Sequence, residues 1–238
     1  MERPEKLPRP PVPRSAARIA STARPEENPD GQSTERKLTR RGRETRRRLV
    51  VAARKVFEES GFVEARVEDI AKEADMANGS FYTYFDSKVD VLDAVAMDVF
   101  AELEAATHTS ELLGARETIE AVNKQYFDTW LRNSKMLVTL HQVSGFLPEF
   151  FARLTKSHEL HAQRSAARIR QMQAEGLVDG DLDPHHAAVA LGSMVEQSLR
   201  WWIGQQEPFD PDLALQTLNK LWIRAIGLDR SGPVKEGQ

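Results

Sequence analysis

Apolar positions recur at helical spacing along most of the chain. Leu49, Ala52, Ala53, Val56 and Phe57 fall at i, i+3, i+4, i+7 and i+8, one apolar stripe on a first helix. Gly61 ends it, as a residue suited to the left-handed backbone of a helix C-cap. Val67, Ile70, Ala71 and Ala74 repeat the stripe in a shorter second helix. After Asp75-Met76-Ala77, a third short helix carries Phe81 and Phe85 four residues apart. Asp86-Ser87 offers an N-cap to a fourth helix, with Leu92, Ala96, Val99 and Leu103 on one face. Helical periods continue near 116–133, 135–145, 148–176, 184–206 and 210–227. Gly176, Gly180 and Asp183-Pro184 mark one break, and Glu207-Pro208 with Asp210-Pro211 another. There is no convincing period-2 strand and no internal repeat. The expected fold is all-α: a three-helix head with a helix-turn-helix, and a larger helical bundle.

The chain of 238 residues is long enough for a sizeable core. Residues 1–40 are expected to be a disordered, basic, proline-rich extension, since seven prolines between Pro4 and Pro29 break any helix. The head is then 41–88 and the body 89–230, with a disordered tail at 231–238. Cysteine is absent, which removes disulfides and thiolate sites and fits a reducing, cytoplasmic setting. No run of about 18 apolar residues is present, so no membrane span is expected. The net charge of −3 hides an asymmetry. Residues 1–48 carry 14 Lys/Arg against 7 Asp/Glu, a net of +7, whereas the remainder carries 19 against 29, a net of −10. A basic front end on an acidic body suggests a polyanionic partner.

A short helix, a tight turn and a second short helix form the helix-turn-helix plan, which needs small apolar residues where the helices cross. Ala71 and Ala74 supply them, and Ile70, Phe81 and Phe85 fill the space between. The other face of the third helix presents Asn78, Ser80, Tyr82, Thr83 and Tyr84, groups able to meet phosphates and base edges. Arg46, Arg47, Arg48 and Lys88 flank them.

The stretch Thr45–Leu92 resembles the DNA-binding domain of the TetR family of regulators. The matching elements are Thr45-Arg46, Ala52-Ala53, Phe57, Gly61-Phe62, Val67, Ile70-Ala71, Ala74, Gly79-Ser80, Phe81-Tyr82, Tyr84-Phe85 and Lys88. Asp75 stands where the family often has Gly, and Arg66 and Ala77 where it has Ser or Thr, so the usual hydroxyl caps are missing and Asn78 becomes a candidate cap. The resemblance implies that the third helix enters the major groove of a palindromic double-stranded operator. Tyr82 and Tyr84 would then meet phosphates, Asn78, Gly79, Ser80 and Thr83 would face base edges, and Lys88 would anchor a phosphate. Arg66 is placed for a further phosphate contact.

Beyond Leu92 no strong motif appears. The resemblance implies a cavity in the body for a small hydrophobic effector. Candidate lining comes from the many aromatics and their neighbours: Phe100, Leu103, Tyr126, Phe127, Trp130, Phe146, Phe150, Met194 and Trp201. His141, Gln142, Asn123 and Gln197 are candidate polar contacts. The last two helices carry broad apolar faces, Leu191, Met194, Val195, Ser198 and Trp202 on one and Ala214, Leu218, Leu221, Trp222, Ala225 and Ile226 on the other. In the family such helices form a four-helix homodimer interface.

Catalysis is poorly supported. His158 and His161 are three apart rather than in the HExxH arrangement, and no phosphate loop or nucleophile elbow is present. No cofactor or metal is expected. The reading is a ligand-released repressor. The alternative is a DNA-bound structural or cell-division factor that senses a protein partner.

Overall fold

The computed structural model describes residues 38–108, 114–204 and 209–230. Residues 1–37 of the basic extension, Glu207-Pro208 and the tail 231–238 lie outside them. Among the described residues there are nine α-helices and no strand. They are α1 Arg40–Glu64, α2 Val67–Glu73, α3 Asn78–Phe81, α4 Lys88–Ala105, α5 Ala115–Arg132, α6 Ser134–Ser144, α7 Pro148–Ala174, α8 Pro184–Gly204 and α9 Pro211–Ala225, followed by a 3-10 turn at Leu228–Arg230.

Two compact units divide the chain. One runs to Val95 and includes Thr139–Phe151; the other is Ala96–Val138 with the residues from Ala152 onward. The boundary expected at 88/89 therefore moves into α4, whose first turns belong with the head.

In the first unit, Thr39 starts α1 by accepting the Gly42 amide at 3.1 Å. Gly61 interrupts the same helix at φ 73°, a conformation costly for any residue with a Cβ. The chain turns there so that Phe62 packs on Phe57, ring centroids 5.6 Å apart. Leu49, Ala53, Phe57, Ile70, Phe81 and Phe85 are buried together. Each large apolar side chain among them contributes about 1.5–3 kcal/mol.

In the second unit α9 packs against α5. The core there includes Phe127, Trp130, Met136, Ile169, Leu199, Leu218 and Ile223. Proline and aspartate open the last two helices as expected. Pro184 and Pro211 sit at the first helical positions, with Asp183 accepting the His186 amide at 2.8 Å and Asp210 those of Asp212 and Leu213.

Candidate nucleic-acid interface and effector pocket

Several helix ends in the head are closed by hydrogen bonds. At the end of α2, Met76 donates to the Ala71 carbonyl (2.9 Å) and Asp75 to that of Lys72 (3.0 Å), while Asp75 takes φ 54°. This is the left-handed closure usually given to glycine. Arg48 reaches across from α1 to donate to the Ala74 carbonyl at 2.6 Å. At the start of α4, Ser87 accepts the Asp90 amide and the Asp90 carboxylate accepts the Asp86 amide, both at 3.1 Å.

Lys88 has an internal partner set, in contrast to its expected place on a phosphate. Its ammonium donates to the carbonyls of Phe62 (2.7 Å), Val63 (3.2 Å) and Ala65 (2.7 Å), and lies 4.6 Å from the centre of the Phe62 ring. All three N–H donors are thus matched by the stretch of backbone that follows Gly61. Burial holds its pKa below the usual lysine value, partly opposed by Glu64. Asn78 also departs from expectation. It is the first residue of α3 rather than its cap, and its amide nitrogen turns to Glu68 at 3.4 Å. Neither Arg66 nor Ala77 makes a side-chain cap bond.

What remains on the outside is one surface. Asn78, Gly79, Tyr82 and Thr83 are exposed, and Ser80 and Tyr84 half-buried. Tyr82 packs against the buried Phe81 in an edge arrangement, ring centroids 5.4 Å apart, and its side chain remains exposed. Arg66 and Arg47 are exposed, and Arg46 lies 4.6 Å over the Phe85 ring. α3 itself is a single turn. Phe81 and Phe85 anchor it by their own contact at 5.7 Å, so the exposed residues are presented on a rigid base.

The second unit holds a cavity of about 280 Å³. α5 lines it with Val122, Asn123 and Tyr126; α7 with Thr155, His158, Glu159, His161, Ala162 and Ser165; α8 with Ala188, Val189, Gly192, Ser193, Val195 and Glu196. Thr107 and Trp222 complete it. His158 Nε2 is 2.6 Å from the Glu196 carboxylate, which is only 13% exposed. This carboxylate raises the His158 pKa. His161 goes the other way. Burial lowers its pKa, its Nε2 donates to the Leu103 carbonyl at 3.2 Å, and its ring lies 4.7 Å from that of Tyr126. Burial also raises the Tyr126 phenol, with Glu196 adding to the shift. The two histidines therefore have separate partners, and among the described residues no cluster of three or more His, Cys, Asp or Glu is arranged for a metal.

Of the expected effector residues, Tyr126 lines this cavity, as does the polar candidate Asn123. Leu103, Phe127 and Trp130 are closed in the core of the second unit. Phe150 is buried in the first unit, where His141 and Phe146 also lie. Phe100 and Met194 are half-buried away from the lining, and Gln197 and Trp201 are exposed. Large aromatics fill space well, so they became core, while small and polar residues left the void. One signal for the cavity was present in α8: Glu196 is the single charge in the run from Ala187 to Leu199.

The expected dimer faces are also corrected. Leu191, Val195, Leu218, Trp222 and Ile226 are buried within one chain, and Trp202 stacks on Phe209 at 5.5 Å. Val189, Trp201, Leu213 and Leu221 are the large apolar residues of α8 and α9 left exposed.

A three-helix head with this exposed turn, capped and packed as described, defines a helix-turn-helix DNA-binding protein. Residues 49–95 match the model of the bacterial regulatory proteins, tetR family. The chain is 35% identical over 92 residues to an uncharacterized HTH-type transcriptional regulator, TtgW of Pseudomonas putida. That match covers 37% of this chain and 63% of the relative, so the chain spans less than two thirds of that relative's length. It is 27% identical over 229 residues to the HTH-type transcriptional activator FasR of Mycolicibacterium smegmatis, covering 90% of this chain and 99% of the relative. Among solved structures, the fatty acid degradation regulator FadR from Bacillus halodurans is similar in fold, with TM-score 0.62 and 20% identity over 75% of this chain and 94% of that one. Residues 49–95 therefore carry a helix-turn-helix domain of the tetR family type. No helix among the described residues is long and apolar enough to cross a membrane.

Proposed function

We propose that this protein is a cytoplasmic, dimeric repressor whose hold on a palindromic operator is released by a small molecule bound in the cavity between α5, α7, α8 and α9. The supporting observation is the anchoring of the end of α4 to the cavity wall. The Leu103 carbonyl accepts from His161, Glu104 pairs with Arg164 at 2.5 Å, and Arg164 also donates to Thr107 at 3.0 Å. α4 is one continuous helix from the Ser87 cap to this anchor. A ligand that displaces His161 would therefore act on the helix that starts in the head. A differential affinity of about 3 kcal/mol between the two states would change operator affinity roughly 100-fold.

On the DNA, Tyr82 and Tyr84 meet phosphates, Arg47 and Arg66 add charge, and Asn78, Gly79, Ser80 and Thr83 face base edges. A Cβ on Gly79 would meet nothing within 4 Å, so the fold itself does not demand a glycine there. Close approach by an operator would. The exposed Val189, Trp201, Leu213 and Leu221 form the centre of the dimer face, which would bury upwards of about 2,000 Å² in total. The relatives are regulators of transcription, which leaves a structural or cell-division role without support.

The test starts with a duplex selected from a random pool and fluorescence anisotropy. Arg47→Ala is expected to weaken binding on every sequence and lower the salt slope by about 1. Tyr82→Ala should weaken binding as well. Unchanged affinity for both variants overturns the interface. A compound that fills the cavity stoichiometrically but leaves the operator complex intact overturns the coupling.

A further inference from the structure

We infer that the cavity selects an apolar ligand bearing an organic cation over an anionic one, with Glu196 as the selecting group; this rests on the cavity being the effector site. The described residues that line it include two carboxylates, Glu159 and Glu196, and neither Lys nor Arg. Two guanidinium groups of α7 are engaged with Glu104 and Thr107. Arg164 pairs with Glu104 at 2.5 Å, and Arg168 points to the Thr107 carbonyl at 3.5 Å.

Glu196 and His158 differ in what they can give up. A mostly buried carboxylate must keep a partner, because removing it from water unpaired costs several kcal/mol. The His158 side chain is 49% exposed and can exchange the carboxylate for water. An incoming ammonium can therefore take the place of His158 and keep Glu196 paired. An incoming carboxylate could pair only by drawing the protonated His158 away from Glu196, which would leave that mostly buried carboxylate without it. The remaining walls suit such a ligand. Val122, Ala162 and Val195 cover its apolar body, and the Tyr126 and Trp222 rings can face its charge.

The exchange has a proton balance. Paired with Glu196, His158 holds its proton more tightly than usual. When a cation takes over Glu196, His158 loses that support and releases its proton to solvent. Cation affinity should therefore rise as the pH is raised from about 6 to about 8, through the usual histidine range. The charged and titratable groups near His158 are Glu196 and Arg200 from α8 and His161 and Glu159 on its own helix; Glu196 favours its protonation, and burial and Arg200 oppose it.

Three probes of one shape test this by titration calorimetry on the full chain: 4-phenylbutylamine, 4-phenylbutanol and 4-phenylbutyrate. The amine should bind at least about tenfold more tightly than the butyrate. Glu196→Gln should reduce that preference to below about threefold while keeping the affinity for the butanol, which shows that the cavity is still formed. His158→Gln should retain the preference and lose the pH dependence. Butyrate binding as tightly as the amine, a preference that survives in Glu196→Gln, or no binding of any probe at millimolar concentration would overturn the selectivity. Selective amine binding that leaves the operator complex intact would uphold the selectivity and overturn the effector reading instead.

Discussion

The head and the body use charged side chains in opposite ways. In the head, Arg48 and Lys88 direct their donors to backbone carbonyls at the ends of helices, and the outer surface is left to Arg47, Arg66 and a set of hydroxyls and an amide. In the body, a carboxylate and a histidine face a cavity, while the cations Arg164 and Arg168 are drawn to the last turn of α4 and the Thr107 that follows it. A basic residue near a DNA-binding surface is therefore no guide to a phosphate contact. What decides is whether its N–H groups already have carbonyls within reach.

The contrast is most directly broken in the last two helices. Leu218 is 3% exposed in a single chain and Leu221 47%. Leu218→Asp buries an unpaired charge and should prevent stable folding, a loss of more than about 4 kcal/mol. Leu221→Asp should keep the helical circular dichroism and shift sedimentation from dimer to monomer. If Leu218→Asp remains folded as a monomer and Leu221→Asp remains a dimer, the two faces have been assigned the wrong way round.

Lys88 gives the next largest effect. Lys88→Met leaves three carbonyls without their donor and should lower stability by about 2–3 kcal/mol in urea unfolding. A residue that served only to meet phosphate would leave the unfolding curve unmoved and weaken operator binding alone.

Asp75→Gly should stabilise the head by roughly 1 kcal/mol, since it removes the cost of a left-handed residue with a Cβ. The melting temperature reports it, and a drop on substitution would mean that the Asp75 side chain contributes more than its backbone costs.

The smallest effect expected concerns pH. The His158 pKa is raised in the folded protein, so its contribution to stability is complete below the unfolded value of about 6.5 and fades as pH rises through the folded one. His161 is lowered by burial and opposes this, adding stability as pH rises toward that unfolded value. The melting difference between the protein and His158→Gln should be larger at about pH 6 than at about pH 8.5, on either side of that range. An equal difference at both would deny the ion pair with Glu196.

The head was legible because its elements are short and its constraints local. The glycine at 61, the alanines at 71 and 74 and the phenylalanines at 81 and 85 each answer to a turn or a crossing a few residues away. The cavity was much less so. Tyr126 and Asn123 were named among its candidates, but Phe127 and Trp130, adjacent to or one turn from Tyr126, are closed in the core. Helical periodicity tells which residues leave water, and it does not distinguish a filled interior from an open one.

By itself the sequence determined the helices, most of their caps and the all-α architecture, because hydrogen bonding within a helix and side-chain period are properties of neighbouring residues. The DNA-binding class came from the resemblance of Thr45–Leu92 to a known domain. Tertiary structure decided the partners of Lys88, the burial of Leu218 and Trp222, and the meeting of His158 with Glu196. Those depend on which helices pack side by side, and residues 23 to 38 positions apart come within 3 Å only when that packing forms.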